Sequence, residues 1–230
     1  MPITYTVGVN APQNLWQMVQ DYAENPETVF VSYIPTFVQV AEERIYNAVQ
    51  IPASRKSQIG TLSIGNPYLA LPSDWLATFA LSVWVVDGLG NTLQQFLLNK
   101  DVEYIRAAFP YPSPVQYYGT PTHYGQFDTT TYILGPTPDQ AYTVELHYYY
   151  YPPSIITYTA PATSWLGTNA ENTLLYGTLR EAYLFMKGEQ DMVNYYEQKY
   201  QEGITLLKGL TEGKLRRDAY RNGQARVPPP

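Results

Sequence analysis

The chain of 230 residues contains no cysteine. That excludes a disulfide framework and any thiolate metal site, and it fits assembly in a reducing cytoplasm. Histidine is scarce: His123 and His147 are the whole supply. A zinc site needs three or four ligands at set spacings, and no His/Asp/Glu cluster offers them. His147 is expected to be a strand side chain bonded to a neighbour. Charged residues make up only 15% of the chain, against the usual ~25%, so other side chains must cover much of the surface. No stretch approaches the roughly 18–20 apolar residues of a membrane helix. The opening run, MPITYTVGVNAPQNLW, has neither the basic start nor the apolar core of a signal peptide. A Gly-x-Ser-x-Gly elbow and a phosphate loop are missing too; Leu62-Ser63-Ile64-Gly65 lacks the flanking glycines and the lysine. A glycosidase-like carboxylate pair stays open on sequence alone. Glu42, Glu43, Glu181 and Glu189 fall on expected helices among arginines, where surface ion pairs are their ordinary fate. The chain reads as non-enzymatic, with no cofactor, no metal and no membrane segment.

What is abundant is tyrosine, with 23 copies. Its apolar body and polar tip suit half-wet surfaces and interfaces. It also favours strands, so a tyrosine-rich sheet accounts for part of the total. The rest are expected at subunit contacts. The net charge of −6 is uneven. Residues 214–230 hold Lys214, Arg216, Arg217, Arg221 and Arg226 against the single acid Asp218, a net +4, which leaves −10 for the rest. An acidic body argues against sequence-specific nucleic-acid binding, which needs a basic face. The basic tail could touch nucleic acid or an acidic protein; the protein partner is the preferred reading.

Apolar periodicity divides the chain. Asn14 caps an expected helix to Tyr22 with Leu15, Met18, Val19 and Tyr22 on one face. Asn25-Pro26 breaks the pattern. Pro35 is expected to open a second helix, running to about Gln50 and ended by Ile51-Pro52. The middle turns to alternation: strands at Ala80–Val86 and Thr92–Leu98 around Asp87-Gly88, then Thr130–Leu134 and Tyr142–Tyr150 around Gly135-Pro136-Thr137-Pro138. Tyr142, Val144, Leu146 and Tyr148 share one face of the last. Tyr104–Ala108 is ambiguous, and Pro110–Pro121 reads as a loop. Two helical stripes follow. The first is Leu175, Leu179, Ala182 and Met186. The second is Val193, Tyr196, Tyr200, Gly203, Leu207 and Leu210, with Gly188 as the turn between them. The fold class is therefore α+β: a helical bundle from the N- and C-terminal helices with an inserted, mainly antiparallel β domain. The expected boundaries are 1–60 for the N-terminal helices, 61–152 for the β-rich domain, 153–213 for the C-terminal helices and 214–230 for a basic arm.

Several short runs, in order, resemble the head-to-tail adaptor (connector) proteins of short-tailed bacteriophages. They are Pro35-Thr36-Phe37, Ala41-Glu42-Glu43-Arg44-Ile45-Tyr46, Leu71-Pro72-Ser73-Asp74-Trp75, Leu134-Gly135-Pro136-Thr137-Pro138, Ser164-Trp165-Leu166, Leu174-Leu175-Tyr176-Gly177, Glu181-Ala182-Tyr183, Lys187-Gly188-Glu189-Gln190-Asp191 and Asp218-Ala219-Tyr220-Arg221. Each is weak alone; their order and spacing carry the resemblance over nearly the whole chain. It implies a structural virion protein at the head–tail interface, assembled in the host cytoplasm. The homo-oligomeric ring would be twelve-fold. Its partners would be the portal protein and a tail nozzle or tail-tube protein. Packaged double-stranded DNA would pass the lumen without sequence-specific binding. An acidic body suits such a conduit, because like charge keeps a duplex from sticking. Arg216, Arg217, Tyr220, Arg221 and Arg226 are the expected portal-binding arm. Two alternatives stay open: a carbohydrate- or ligand-binding β module with helical flanks, and a tail-tube subunit.

Overall fold

The computed structural model describes residues 2–157 and 163–221, the last ten of these, from 212, through their backbone only. Two compact units emerge: Met1–Ser54 together with Pro152–Pro230, and Arg55–Tyr151. The fold is α+β.

The first unit is a helical bundle. Helix α1 spans Leu15–Ala23 and starts where the side chain of Asn14 accepts the backbone N–H of Trp16. Asn14 is also buried, and its amide donates to the carbonyls of Thr6 and Val9, both at 2.6 Å. One residue therefore caps the helix and folds the preceding segment onto it. Helix α2 spans Thr28–Ala48, with Pro35 inside it. The expected start at Pro35 is thus corrected. Proline in a helix costs about 3 kcal/mol. However, continuing the helix back to Thr28 buries Phe30 and Ile34 completely, each stabilising by roughly 1.5–3 kcal/mol. Phe30, Ile34, Phe37, Val38, Ala41 and Ile45 then form one buried stripe.

The short α4, Trp165–Asn169, and α5, Glu171–Phe185, lead to the long α6, Gln190–Arg221. Helix α5 is the hub, packing against α1, α2 and α6. The turn between α5 and α6 departs from expectation. The left-handed residue is Lys187, at φ 53°, and Gly188 serves by lacking a Cβ, which would press on the Tyr183 ring. On α6 the buried residues are Val193, Tyr196, Tyr200, Ile204, Leu207 and Thr211, whereas Leu210 is half exposed. The stripe rotates because Gly203 meets the side chain of Thr173 on α5; any larger residue would collide there. Past Gly213, where the apolar spacing stops, the backbone stays helical to Arg221.

The second unit holds two sheets sharing one core. Its elements are β1 (Arg55–Thr61), β2 (Tyr68–Ala70), β3 (Ala77–Val86), β4 (Thr92–Phe96), β5 (Leu98–Asn99), α3 (Val102–Ala108), β6 (His123–Gln126), β7 (Thr131–Gly135) and β8 (Thr143–Tyr149). The strand orders are β1-β8-β3-β4 and β2-β7-β6-β5. All pairings are antiparallel except β5 with β6. The expected return strand to Leu98 is corrected: it stops at Phe96, and Leu98 crosses to pair with His123 in the other sheet. Leu81, Val83, Val144, Leu146 and Tyr148 from the first sheet meet Tyr124, Tyr132 and Leu134 from the second. The face of β8 read from alternation is the buried one. Helix α3 packs on β6 and β7.

Candidate docking surfaces

The motif residues sit where they brace the two units. In the helical unit, Arg44 of α2 donates to Glu181 of α5 at 3.0 Å and to both carboxylate oxygens of Glu197 of α6 at 3.0 and 3.1 Å. Its guanidinium also lies 4.5 Å above the Tyr200 ring. Arg180 completes the group, 2.6 Å from Glu181 and 3.1 Å from Glu197. The Glu197 carboxyl is held below its ordinary range: burial opposes this, and the hydrogen bonds from Gln201 and Arg44 outweigh it. Three helices are thus tied by one guanidinium fork.

Glu42 departs from the expected surface ion pair. It is buried, and its Oε1 accepts the backbone N–H of Ile155 at 3.0 Å. Burial raises its pKa above the ordinary 4.5, against the opposing effect of hydrogen bonds from Ser154 and Ile155. Alternation cannot reveal this, because α2 places Glu42 next to Ala41 on the packed side.

In the β unit, Asp74 accepts Lys56 Nζ at 2.6 Å and Tyr148 Oη at 2.8 Å, joining β1, β8 and the segment before β3. The hydrogen bond from Lys56 is the main reason its carboxyl is lowered. Trp75 Nε1 and Tyr132 Oη both donate to Thr78 Oγ1, at 2.9 and 2.7 Å. Ser164 caps α4 through the Gly167 N–H. These residues build architecture. His147 lies 3.6 Å from Glu145, and His123 Nδ1 bonds Thr122 Oγ1 at 2.8 Å. Among the described residues no group of three or more His, Cys, Asp or Glu could hold a metal, and no helix is long and apolar enough to cross a membrane.

A match over residues 12–228 to the family model of the SU10 adaptor protein decides the relationship. The chain belongs to the SU10 adaptor protein family. This agrees with the resemblance to phage head–tail adaptors and makes the chain a phage adaptor protein and a virion component. No curated protein sequence matches the chain.

An adaptor works through its surfaces, and some exposed apolar residues of this family member gather in groups. On the helical unit, Tyr33 and Phe185 are exposed with ring centroids 5.0 Å apart, backed by Phe37 at 5.3 Å from Phe185. The loop 110–121 carries Tyr111 stacked on Tyr117 at 4.7 Å, with Val115 at its tip 77% exposed. On the outer face of the first sheet, Ile59, Phe79, Trp84 and Phe96 surround the Glu145 carboxylate, which accepts Ser57 Oγ at 2.9 Å and Gln94 Nε2 at 2.7 Å. The sequence signal for this face lies in β3, ATFALSVWVV, which is apolar on both sides. A sheet with one wet face alternates; a strand apolar on both sides expects a cover on each. Arg216, Arg217, Tyr220 and Arg221 fall in the last turns of α6, where only the backbone is described, and Arg226 lies outside the described residues.

Proposed function

We propose that this adaptor forms a ring joining the capsid portal protein to the tail nozzle or tail tube, twelve-fold as in the proteins it resembles. Double-stranded DNA is retained behind the ring and leaves through its bore. The observation that carries the reading is the family match, which extends through both units. It favours an adaptor over a carbohydrate-binding module or a tail-tube subunit. The net −10 of residues 1–213 suits a passage that DNA must not grip.

In this proposal the helical unit and the basic arm face the portal. The helical backbone of α6 reaches Arg221, and the arm residues Arg216, Arg217, Tyr220, Arg221 and Arg226 are the ones that make the portal contact in this reading. Guanidinium groups pair with carboxylates in a fork geometry, and a tyrosine serves as the buried anchor. The β unit, with the loop carrying Tyr111, Val115 and Tyr117, faces the tail.

The test is truncation after Gly213. The shortened protein is expected to keep its melting temperature and to stop docking onto portal-bearing capsids, and docking of the full chain is expected to weaken as salt rises. Unchanged affinity together with salt-independent docking would exclude the arm as the anchor. Val115→Asp is expected to leave adaptor on the capsid and to block tail addition; loss of capsid binding instead would reverse the polarity.

A further inference from the structure

The first sheet ends in two free edges, β1 and β4. Hydrogen bonds just beyond the strands fix which way each edge residue points. Leu62 N donates to Tyr142 O at 2.9 Å, so Leu62 and Tyr142 form a hydrogen-bonded pair. In an antiparallel ladder such pairs alternate with pairs that make no bond to each other. Given the register, Ser57, Ile59 and Thr61 therefore turn their backbone N–H and C=O away from β8. On the other edge, Asp87 N donates to Asn91 O and Leu97 N to Leu81 O, both at 2.8 Å. The same alternation leaves Thr92, Gln94 and Phe96 turned away from β3.

Natural edges are usually blunted by lysine, proline, a bulge or a covering element. The edge strand β1 opens with Arg55 and Lys56, but beyond them the run Ser57-Gln58-Ile59-Gly60-Thr61, like Thr92-Leu93-Gln94-Gln95-Phe96 of β4, carries no charge and no proline. Their residues are exposed, save the half-buried Gln95. We infer that β4 of one copy pairs with β1 of the next, so that the first sheet continues from subunit to subunit. This deepens the ring reading and rests on it.

Strand direction, side-chain face and shape all agree with that pairing. Each neighbouring pair in the sheet is antiparallel, so placing a second copy beside the first brings β4 and β1 together antiparallel. The outward-turned residues of both edges carry their side chains on the same, outer face, along rows such as Ile59–Glu145–Ser82–Phe96. Full overlap of the two uncharged runs sets Phe96 against Ser57, Gln94 against Ile59 and Thr92 against Thr61. It also sets Leu93 against Gly60 on the inner face. Leu93 is 45% exposed in the single chain. At Gly60 a cleft of about 150 Å³ opens between the sheets, lined by Leu69, Leu71, Val144 and Leu146. A leucine without a cover thus meets an apolar gap where the partner strand has no side chain. A contact between two different edges is head-to-tail, the kind of contact from which a cyclic ring is built when its rotation closes.

The absence of cysteine gives a clean test. Gln58→Cys with Gln95→Cys places one thiol on each edge, at a pair expected to lie about 4.5 Å apart between Cα atoms, within disulfide range. The full-length double variant is incorporated into phage particles, oxidised and run on a non-reducing gel. The expected result is a ladder of covalent multimers, absent from the off-register pair Gln58→Cys with Thr92→Cys. Should the first variant fail to fold, by its melting curve, Thr61→Cys with Thr92→Cys tests the same register. Particles that hold many copies per vertex yet release only monomers would overturn the edge pairing and leave the ring reading standing. One copy per vertex would overturn both.

Discussion

The helical unit ties its central charges to one another, whereas the β unit ends its first sheet in two strands that pair on one side only among the described residues. In the bundle, Arg44, Arg180, Glu181 and Glu197 neutralise one another inside the structure, and the close approaches of α5 are filled by its own neighbours. In the β unit the core is equally dense, but strand edges and a row of aromatics are left facing outward. A strand edge with unspent hydrogen bonds beside exposed apolar side chains is a surface that a neighbour can cover.

The contrast breaks first, and most visibly, at the bundle hub. Leu174→Ala should cost about 2–5 kcal/mol, because Leu174 is wholly buried; urea unfolding measures it. A loss below ~1 kcal/mol would mean the bundle is less closed than described. Arg44→Met comes next. Removing the fork leaves Glu181, only 15% exposed, and Glu197 to share the single cation Arg180. Breaking a buried pair costs about 3–5 kcal/mol, and the partial exposure here brings that to roughly 2. A double-mutant cycle with Glu197→Gln should recover most of it.

A third test uses pH. Because Glu42 has its pKa raised by burial, the folded chain keeps the proton longer than the unfolded one does. Its contribution is full below the ordinary value of 4.5 and is lost as pH rises through the higher folded value. Glu197, lowered, acts oppositely: its contribution is present above the ordinary carboxyl range and is lost as pH falls. Glu42→Gln keeps an acceptor for the Ile155 N–H and removes the titration. Its urea midpoint should therefore change less than the wild type's between about pH 4.5 and 7, and an unchanged profile would place Glu42 in contact with water. The smallest effect is expected on the outer sheet face. Ile59→Thr, at 63% exposed, should shift stability by no more than ~0.5 kcal/mol. A larger loss would show that this face is already spent within the single chain.

Much of this division is legible in the sequence. The Asn14 cap, the stripe of α5 and the buried face of β8 follow from spacing alone, whereas Tyr22, expected on the packed face of α1, is half exposed. Other features do not, each for a physical reason. Helix α2 begins before Pro35 because burial of Phe30 and Ile34 outweighs the missing N–H, and local propensity says nothing of that. Strand β1 is exposed along nearly all its length, so it has no apolar alternation to betray it. Glu42 looks like a surface carboxylate because its partner, the backbone of Ile155, is distant in sequence. The docking surfaces are fainter still, and only the two-sided apolar character of β3 hints at them.

The bundle is discontinuous in the chain: Met1–Ser54 meets Pro152–Pro230, while Arg55–Tyr151 is one unbroken piece. A ribosome delivers residues in order, at ~5–20 per second. The β unit is complete while α5 and α6 are still unmade, so α1 and α2 wait with their apolar stripe open for several seconds. Contacts such as Arg44 with Glu197 can form only once residue 197 has left the ribosome. Nascent chains of this adaptor thus expose the edge strands β1 and β4 early and complete the helical bundle last.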